Sequence, residues 1–348
     1  MYPLLEANLA YIGENASRMI EICKPYGVGI TAVTKVFSAD INIARAMVGA
    51  GISALGDSRL QNLEAIKDIK CEKWLIRMPS PSEAQRAVEL ADASFNTELD
   101  TLKALEAACE KAGKTHSVIL MQDLGDLREG YINREDMLRA GEYIDNSAWL
   151  RLYGVGSNFA CLSYAYADTE KLAGLMALGH EMGVKLISAG NSSTIDLMLS
   201  GGVPYGVSNF RLGEALLFGR ERAKYDYLDG MHNDAMMLRA EIIELKDKPS
   251  MPFADIGCDS HGAKPTFADK GIRKRAILAL GKVDTDIDAM WPIDPNIEII
   301  GASGDHMALD VTDSASELRV GDTVAFRLGY NAVLRCCASS YVSRSYIQ

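Results

Sequence analysis

Nowhere in the 348 residues is there a stretch approaching the ~20 consecutive apolar residues that a membrane span requires. No tract is of low complexity and no period repeats, which excludes solenoid, fibrous and disordered architectures. Positive charge is in deficit: 36 Lys plus Arg stand against 47 Asp plus Glu, a formal net charge of -11 that would on average repel a phosphate backbone. Nucleic acid is therefore not an expected partner. The one dense basic run, Lys270-Gly-Ile-Arg-Lys-Arg275, reads as the solvated start of the apolar run that follows it. Seven cysteines, an odd number without metal-ligand spacing, point to reduced thiols and to no metal centre. The first residues lack a basic segment, and Glu14 and Arg18 interrupt the apolar residues after them, so a cytoplasmic location is expected.

What is present is the balance of an ordinary globular protein, 48% hydrophobic and 24% charged, long enough for one large barrel with an appendage or for two medium domains. Up to about residue 220, short β-rich runs alternate with segments of helical period. The runs fall at 30–35, 54–57, 74–78, 93–97, 117–123, 152–158, 186–190 and 207–211. Eight such strands suit a closed barrel. An open doubly wound sheet usually has fewer, and the Gly-x-Gly-x-x-Gly turn it would need for a dinucleotide is absent. Beyond residue 235 the pattern changes to strand-like runs at 237–245, 275–281, 298–302, 307–311, 323–328 and 333–337, with no helical layer between them. The expected architecture is a (β/α)8 TIM-like barrel over 1–225 followed by a C-terminal β-domain over 226–348.

In such a barrel the working groups project from the C-terminal strand ends. Those ends are polar here: Lys35, Asp57, Arg128, Asn158, the turn Gly190-Asn191-Ser192-Ser193 and the turn Arg211-Leu-Gly213-Glu214. Lys35 closes its run where alternation aims it at the barrel mouth, and a poorly solvated amine loses its proton easily, as a Schiff base requires. The alternative is a lysine that leaves the strand into water. Turns after the last two strands of a barrel often hold a phosphate, and the serines and glycine here have the right size and donors. Plain N-capping by Asn191 or Ser192 explains the same residues.

Taken together, Ala32-Val-Thr-Lys35, Asp123-Leu-Gly-Asp-Leu-Arg128-Glu-Gly, Gly190-Asn-Ser192-Ser, Arg211-Leu-Gly-Glu-Ala-Leu-Leu-Phe-Gly219 and Ser303-Gly-Asp305-His resemble, in order, the alanine racemase-like (fold type III) pyridoxal-phosphate enzymes. Asp57-Ser-Arg-Leu-Gln-Asn and Asp269-Lys-Gly-Ile-Arg-Lys-Arg add a likeness to their ornithine racemase branch. The resemblance implies that Lys35 carries pyridoxal 5'-phosphate, and that Ser192, with backbone at Ser193, Gly213 and Glu214, holds the phosphate, helped by the Tyr330 hydroxyl. It sets Arg211 against the pyridine nitrogen and Asn158 beside the ring. Arg128 faces the phenolic oxygen and the substrate carboxylate, the alternative being an ion pair with a neighbour such as Asp126. Asp305 reaches the substrate from a C-terminal loop.

The implied activity is two-base racemisation of L- and D-ornithine, with Lys35 on one face of the α-carbon and His261, where related enzymes have a tyrosine, on the other. The tyrosine expected four residues after the cofactor lysine is replaced by Ala39, which implies a wider pocket. A diamino acid's far ammonium would then need Glu129, Asp259 or Asp305. A head-to-tail homodimer follows if the second base comes from a neighbouring chain. The rival readings are a lysine, arginine or alanine racemase, a homeostatic pyridoxal-phosphate carrier, and an aldolase of the same fold type.

Overall fold

A computed structural model describes residues 1–258, 262, 264 and 266–348. The chain divides into two compact units: one of residues 8–235 together with Gln348, the other of residues 1–7 and 236–347.

The larger unit begins with the end of β1 (Leu4–Asn8) and with α1 (Leu9–Cys23). It continues through β2 (Gly29–Val33), α2 (Ile41–Gly49), β3 (Ala54–Asp57), α3 (Leu60–Ala65), β4 (Glu72–Leu75), α4 (Ala84–Leu90), β5 (Ala93–Asn96), α5 (Leu99–Ala112) and β6 (His116–Met121). Then come α6 (Arg134–Asp145), β7 (Leu150–Ser157), α7 (Thr169–Glu181), β8 (Leu186–Ala189), α8 (Ile195–Leu199), β9 (Asn209–Leu212) and α9 (Glu214–Phe218). Strands β2 to β9 close into a parallel eight-stranded barrel, β9 returning to β2 in the register Thr31 to Arg211. Every strand foreseen in this half exists, within two residues at its start.

Apart from the first half of β7, where Arg151 and Tyr153 are exposed, these strands are largely sealed on both faces, as expected of parallel strands wrapped by helices. All four residues of β3, β5 and β9 are buried. Trp74, Phe95, Ile119 and Met121 fill the interior, and Ile12, Ala16, Met19 and Cys23 form the inward stripe of α1. Asn and Asp side chains start several helices: Asn8, Asp40, Asn133 and Asp168 each accept a backbone N–H of the first turn.

The second unit is built on one antiparallel sheet. It contains β10 (Met236–Pro249), β11 (Ile272–Leu278), β12 (Met290–Pro292), β13 (Glu298–Ala302), β14 (Met307–Asp310), β15 (Thr323–Leu328), α10 (Tyr330–Ala338) and β16 (Ser343–Ile347). The path runs β12-β15-β10-β11-β14-β13, and β1 joins it by pairing with both β10 and β16. Four features differ from the sequence reading. Strands β1, β12 and β16 were not foreseen, because three to five residues carry little pattern. The apolar run at 333–337 is not a strand but the body of α10: Ala332, Val333, Cys336 and Cys337 are buried at helical spacing. A short apolar run is ambiguous in period, and Gly329 at the helix start was the available signal.

Candidate active site

The strand ends of the barrel gather the polar residues that the sequence singled out. Lys35 lies just past β2 and opens a tight turn, Lys35–Phe37, rather than ending the strand as expected. The turn is pinned at Thr34, whose N–H donates to Gly56 O at 2.9 Å and whose hydroxyl donates to Asp57 Oδ2 at 2.5 Å. Val36 and Phe37 are buried beneath it, so the chain must turn at Lys35, leaving the amine half-buried at the mouth. Burial lowers the Lys35 pKa below its ordinary 10.5; Arg128 and Arg222 push the same way, against Cys161 and Asp57. Asp57, itself sealed, is raised by burial and held in check by hydrogen bonds from Thr34, the Arg59 N–H and Asn62.

Arg211, on β9, is the most deeply buried cation of the group at 5% exposure. One Nη donates to Ser188 O at 2.6 Å and Ser188 Oγ at 2.7 Å; the other donates to Ser157 O at 2.5 Å and Asn158 Oδ1 at 2.8 Å. Its guanidinium lies 5.1 Å from the centroid of Phe95. These partners are neutral oxygens, and burial pushes the pKa down to about 10, which still leaves it charged at neutral pH.

Asn158 links this arginine to the next. Its amide donates to Glu129, which also receives two N–H groups of Arg128. Arg128 therefore pairs with Glu129 and not with Asp126. The Glu129 carboxylate, 9% exposed, is held between the two donors. Asp126 is occupied differently: it accepts the backbone N–H groups of Cys161, Leu162 and Ser163.

The turn after β8 completes the ring. Gly190 has φ 127°, and an added Cβ would lie 2.7 Å from Thr194 Oγ1, so no other residue fits this bend. Asn191 Oδ1 accepts the Ser193 N–H at 2.8 Å, and Ser192 Oγ accepts the Ala215 N–H at 3.1 Å, tying this turn to the one after β9. Gly213 brings β9 against β2: an added Cβ there would meet Val33 at 3.3 Å. Glu214 is buried and paired with Arg220 at 2.9 Å and Arg222 at 3.5 Å.

The barrel thus brings together Lys35, Arg128, Asn158, Ser192, Ser193, Arg211, Gly213 and Glu214. Asp305 and Tyr330 belong to the other unit. Asp305 is exposed in the β13–β14 turn, where the Ser303 N–H donates to His306 O at 2.8 Å, and Tyr330 starts α10. His261 and Asp259 lie outside the described residues. Sequence reasoning missed Asp126, Cys161, Asn191 as a side-chain anchor, and Arg222, because each sits in a loop whose partners are 30 or more residues away. Among the described residues, no group of three or more His, Cys, Asp or Glu side chains is placed to hold a metal ion.

The comparisons agree with this geometry. The chain is 40% identical to the ornithine racemase of Acetoanaerobium sticklandii over 353 residues, covering 100% of both chains. It is 34% identical to the lysine racemase of Thermotoga maritima over 354 residues, covering 99% of each. The crystal structure of alanine racemase from Streptomyces lavendulae superimposes with a TM-score of 0.75 at 18% identity, over 99% of this chain and 96% of that one. At that identity the likeness concerns the fold. The profile of the alanine racemase N-terminal domain matches residues 7–221, a span that includes all eight barrel strands, and the chain belongs to that family.

Proposed function

We propose that this protein is a pyridoxal-phosphate-dependent amino-acid racemase that interconverts L- and D-ornithine. The observation that carries the reading is the cation set at one barrel mouth. Arg128 and Arg222 act electrostatically on Lys35, and Arg128 also acts on Arg211, which is buried among neutral oxygens. The full-length likeness to ornithine and lysine racemases supports the substrate class.

The residues present fit the cofactor. Four buried oxygens without a hydrogen-bond partner, Asn96 Oδ1, Gln122 Oε1, Ser157 Oγ and Ser193 Oγ, lie at or just beyond the ends of four consecutive strands. Ser192 and Ser193 would hold its phosphate with Gly213 and Glu214 backbone, Arg211 would face the pyridine nitrogen with Asn158 beside the ring, and Arg128 would meet the phenolic oxygen and the substrate carboxylate. The remaining assignments, Tyr330 to the phosphate and Asp305 to the substrate, come from the second unit. When bound, pyridoxal phosphate supplies an electron-withdrawing system that acidifies the hydrogen on the α-carbon.

Lys35, with its lowered pKa, holds or takes a proton at one face of that carbon. Arg211 cannot hand a proton to a ring nitrogen, since a guanidinium keeps its own. That limits electron withdrawal and favours prompt return of the proton to the α-carbon over other fates. Glu129, itself held by Asn158, takes the Nε and one Nη of Arg128, so that the other Nη is oriented before a carboxylate arrives. His261 is our second base, reaching the opposite face from a second copy of the chain.

A second copy is also favoured by the rim of the mouth, where Leu127, Ile132 and Tyr164 are 65%, 75% and 71% exposed on the β6–α6 and β7–α7 loops. No described helix is long and apolar enough to cross a membrane; we place the enzyme in the cytoplasm. The deciding experiment is chiral chromatography of L-ornithine incubated with purified protein and pyridoxal phosphate, beside L-lysine, L-arginine and L-alanine. Inversion of ornithine faster than of the other three, lost in Lys35→Ala, is expected. Turnover of alanine as fast as ornithine would sink the diamino-acid preference.

A further inference from the structure

The β7–α7 loop is the hub through which the separate parts of the site touch. Asn158 reaches Arg211 and Glu129. Phe159 O accepts from Asn191 Nδ2 at 2.7 Å, which fixes the turn after β8, and Ala160 O accepts from Arg222 Nη1 at 3.0 Å. The Arg222 N–H in turn donates to Ser192 O at 3.0 Å. For its carbonyls to point this way the loop must bend sharply, and it does so at Ala160, φ 51°, a left-handed conformation that a non-glycine residue adopts reluctantly. Directly after that bend three consecutive N–H groups, those of Cys161 (3.1 Å), Leu162 (2.9 Å) and Ser163 (3.1 Å), converge on one carboxylate. That carboxylate is Asp126, 2% exposed, from the loop that also carries Arg128 and Glu129.

We propose that Asp126 is a positioning residue that holds the bent β7–α7 loop in place and so sets the spacing between the Arg211 end and the Ser192–Ser193 end of the cradle. A carboxylate is suited to this because it is acceptor-only, has two oxygens for three amides, and forms charge-assisted bonds stronger than those of a neutral acceptor. Its removal leaves three N–H groups without their acceptor and frees the left-handed bend to relax. The loop then swings Phe159 O away from Asn191 and Ala160 O away from Arg222, and both ends of the cradle lose their tie.

The cofactor part of this inference rests on the pyridoxal-phosphate reading; the loop part does not, and Cys161 reports on it directly. The Cys161 thiol is half-buried, donating to Phe159 O at 3.3 Å. Full-length wild type, Asp126→Asn and Asp126→Ala, each supplied with pyridoxal phosphate, are treated with iodoacetamide, and alkylation is followed site by site by mass spectrometry. The expected result is about tenfold faster modification of Cys161 in Asp126→Ala and a smaller acceleration in Asp126→Asn, with Cys71 and Cys258 unchanged as internal controls. Pyridoxal-phosphate affinity, read from cofactor absorbance, is expected to weaken by about tenfold in the same order. A residue that served overall stability alone would lower the melting temperature without singling out Cys161. Cys161 rates within twofold of wild type in Asp126→Asn would overturn the proposal, and that variant decides if Asp126→Ala does not fold. Failure of wild type to take up the cofactor would end the proposed function, while the Cys161 rates would still decide the clamp.

Discussion

His116 opens β6 with its ring 1% exposed, Nε2 shared with Ser94 Oγ at 2.8 Å and Nδ1 without a partner. Burial pushes its pKa down to about 4. The unfolded chain therefore takes up this proton first as pH falls, and stability drops from about pH 6.5 downward until the folded pKa is reached. Between pH 8 and pH 5 this single group costs about 2 kcal/mol, measurable by urea unfolding at the two pH values; His116→Asn should flatten the difference. At the other end of the barrel the depressed Lys35 amine gives the opposite kind of test. Borohydride trapping of pyridoxal phosphate on Lys35, followed against pH, should have its midpoint below the ordinary 10.5. A midpoint at or above that value would mean that burial does not act on the amine. These two residues also show what a sequence can and cannot display. A lysine at a strand end is visible, whereas the cations that share its space come from residues 128 and 222 and are neighbours only after the barrel closes.

Among the elements, the turn after β8 is the most constrained. Gly190→Ala would place a methyl group against Thr194 and Phe210 at a φ of 127°, and a loss of about 1–3 kcal/mol in unfolding free energy is expected. Pyridoxal-phosphate affinity should fall with it, because Asn191 to Ser193 hang from this bend. The barrel strands were legible because most are short, largely buried runs bounded by turn residues; β3, all four residues buried, falls at 54–57 as read from sequence. The Arg211-Leu-Gly-Glu turn was legible because β9 leads straight into α9. The loops were not. Asp126, Asn191 and Arg222 act through contacts 30 to 62 residues away that no local pattern encodes. Helix α10 was misread for a related reason: nine residues span fewer than three turns, too few for a period to assert itself.

For the whole molecule, the exposed apolar rim of the mouth predicts association. Sedimentation should give twice the 37.8 kDa chain mass, and Ile132→Asp combined with Tyr164→Asp should shift it toward one chain with unchanged circular dichroism. If each site draws His261 from its neighbour, mixtures of Lys35→Ala and His261→Ala, inactive alone, should recover up to about a quarter of wild-type activity through hybrid dimers. No recovery with verified subunit exchange would argue for self-contained sites. The sheet of the second unit has a consequence of another kind. Strand β1 pairs Leu4 with Arg239 and Ala7 with Met236, so during synthesis this segment cannot find its partner until about 230 residues later. At roughly 5–20 residues per second that is a wait of roughly ten to fifty seconds. Throughout it Leu5 and Ala7, both buried in the finished sheet, travel with the nascent chain while the barrel forms behind them. Of the described strands β1 thus waits longest for its first partner, and synthesis speed, more than any property of the finished fold, sets how long it stays open to chaperones.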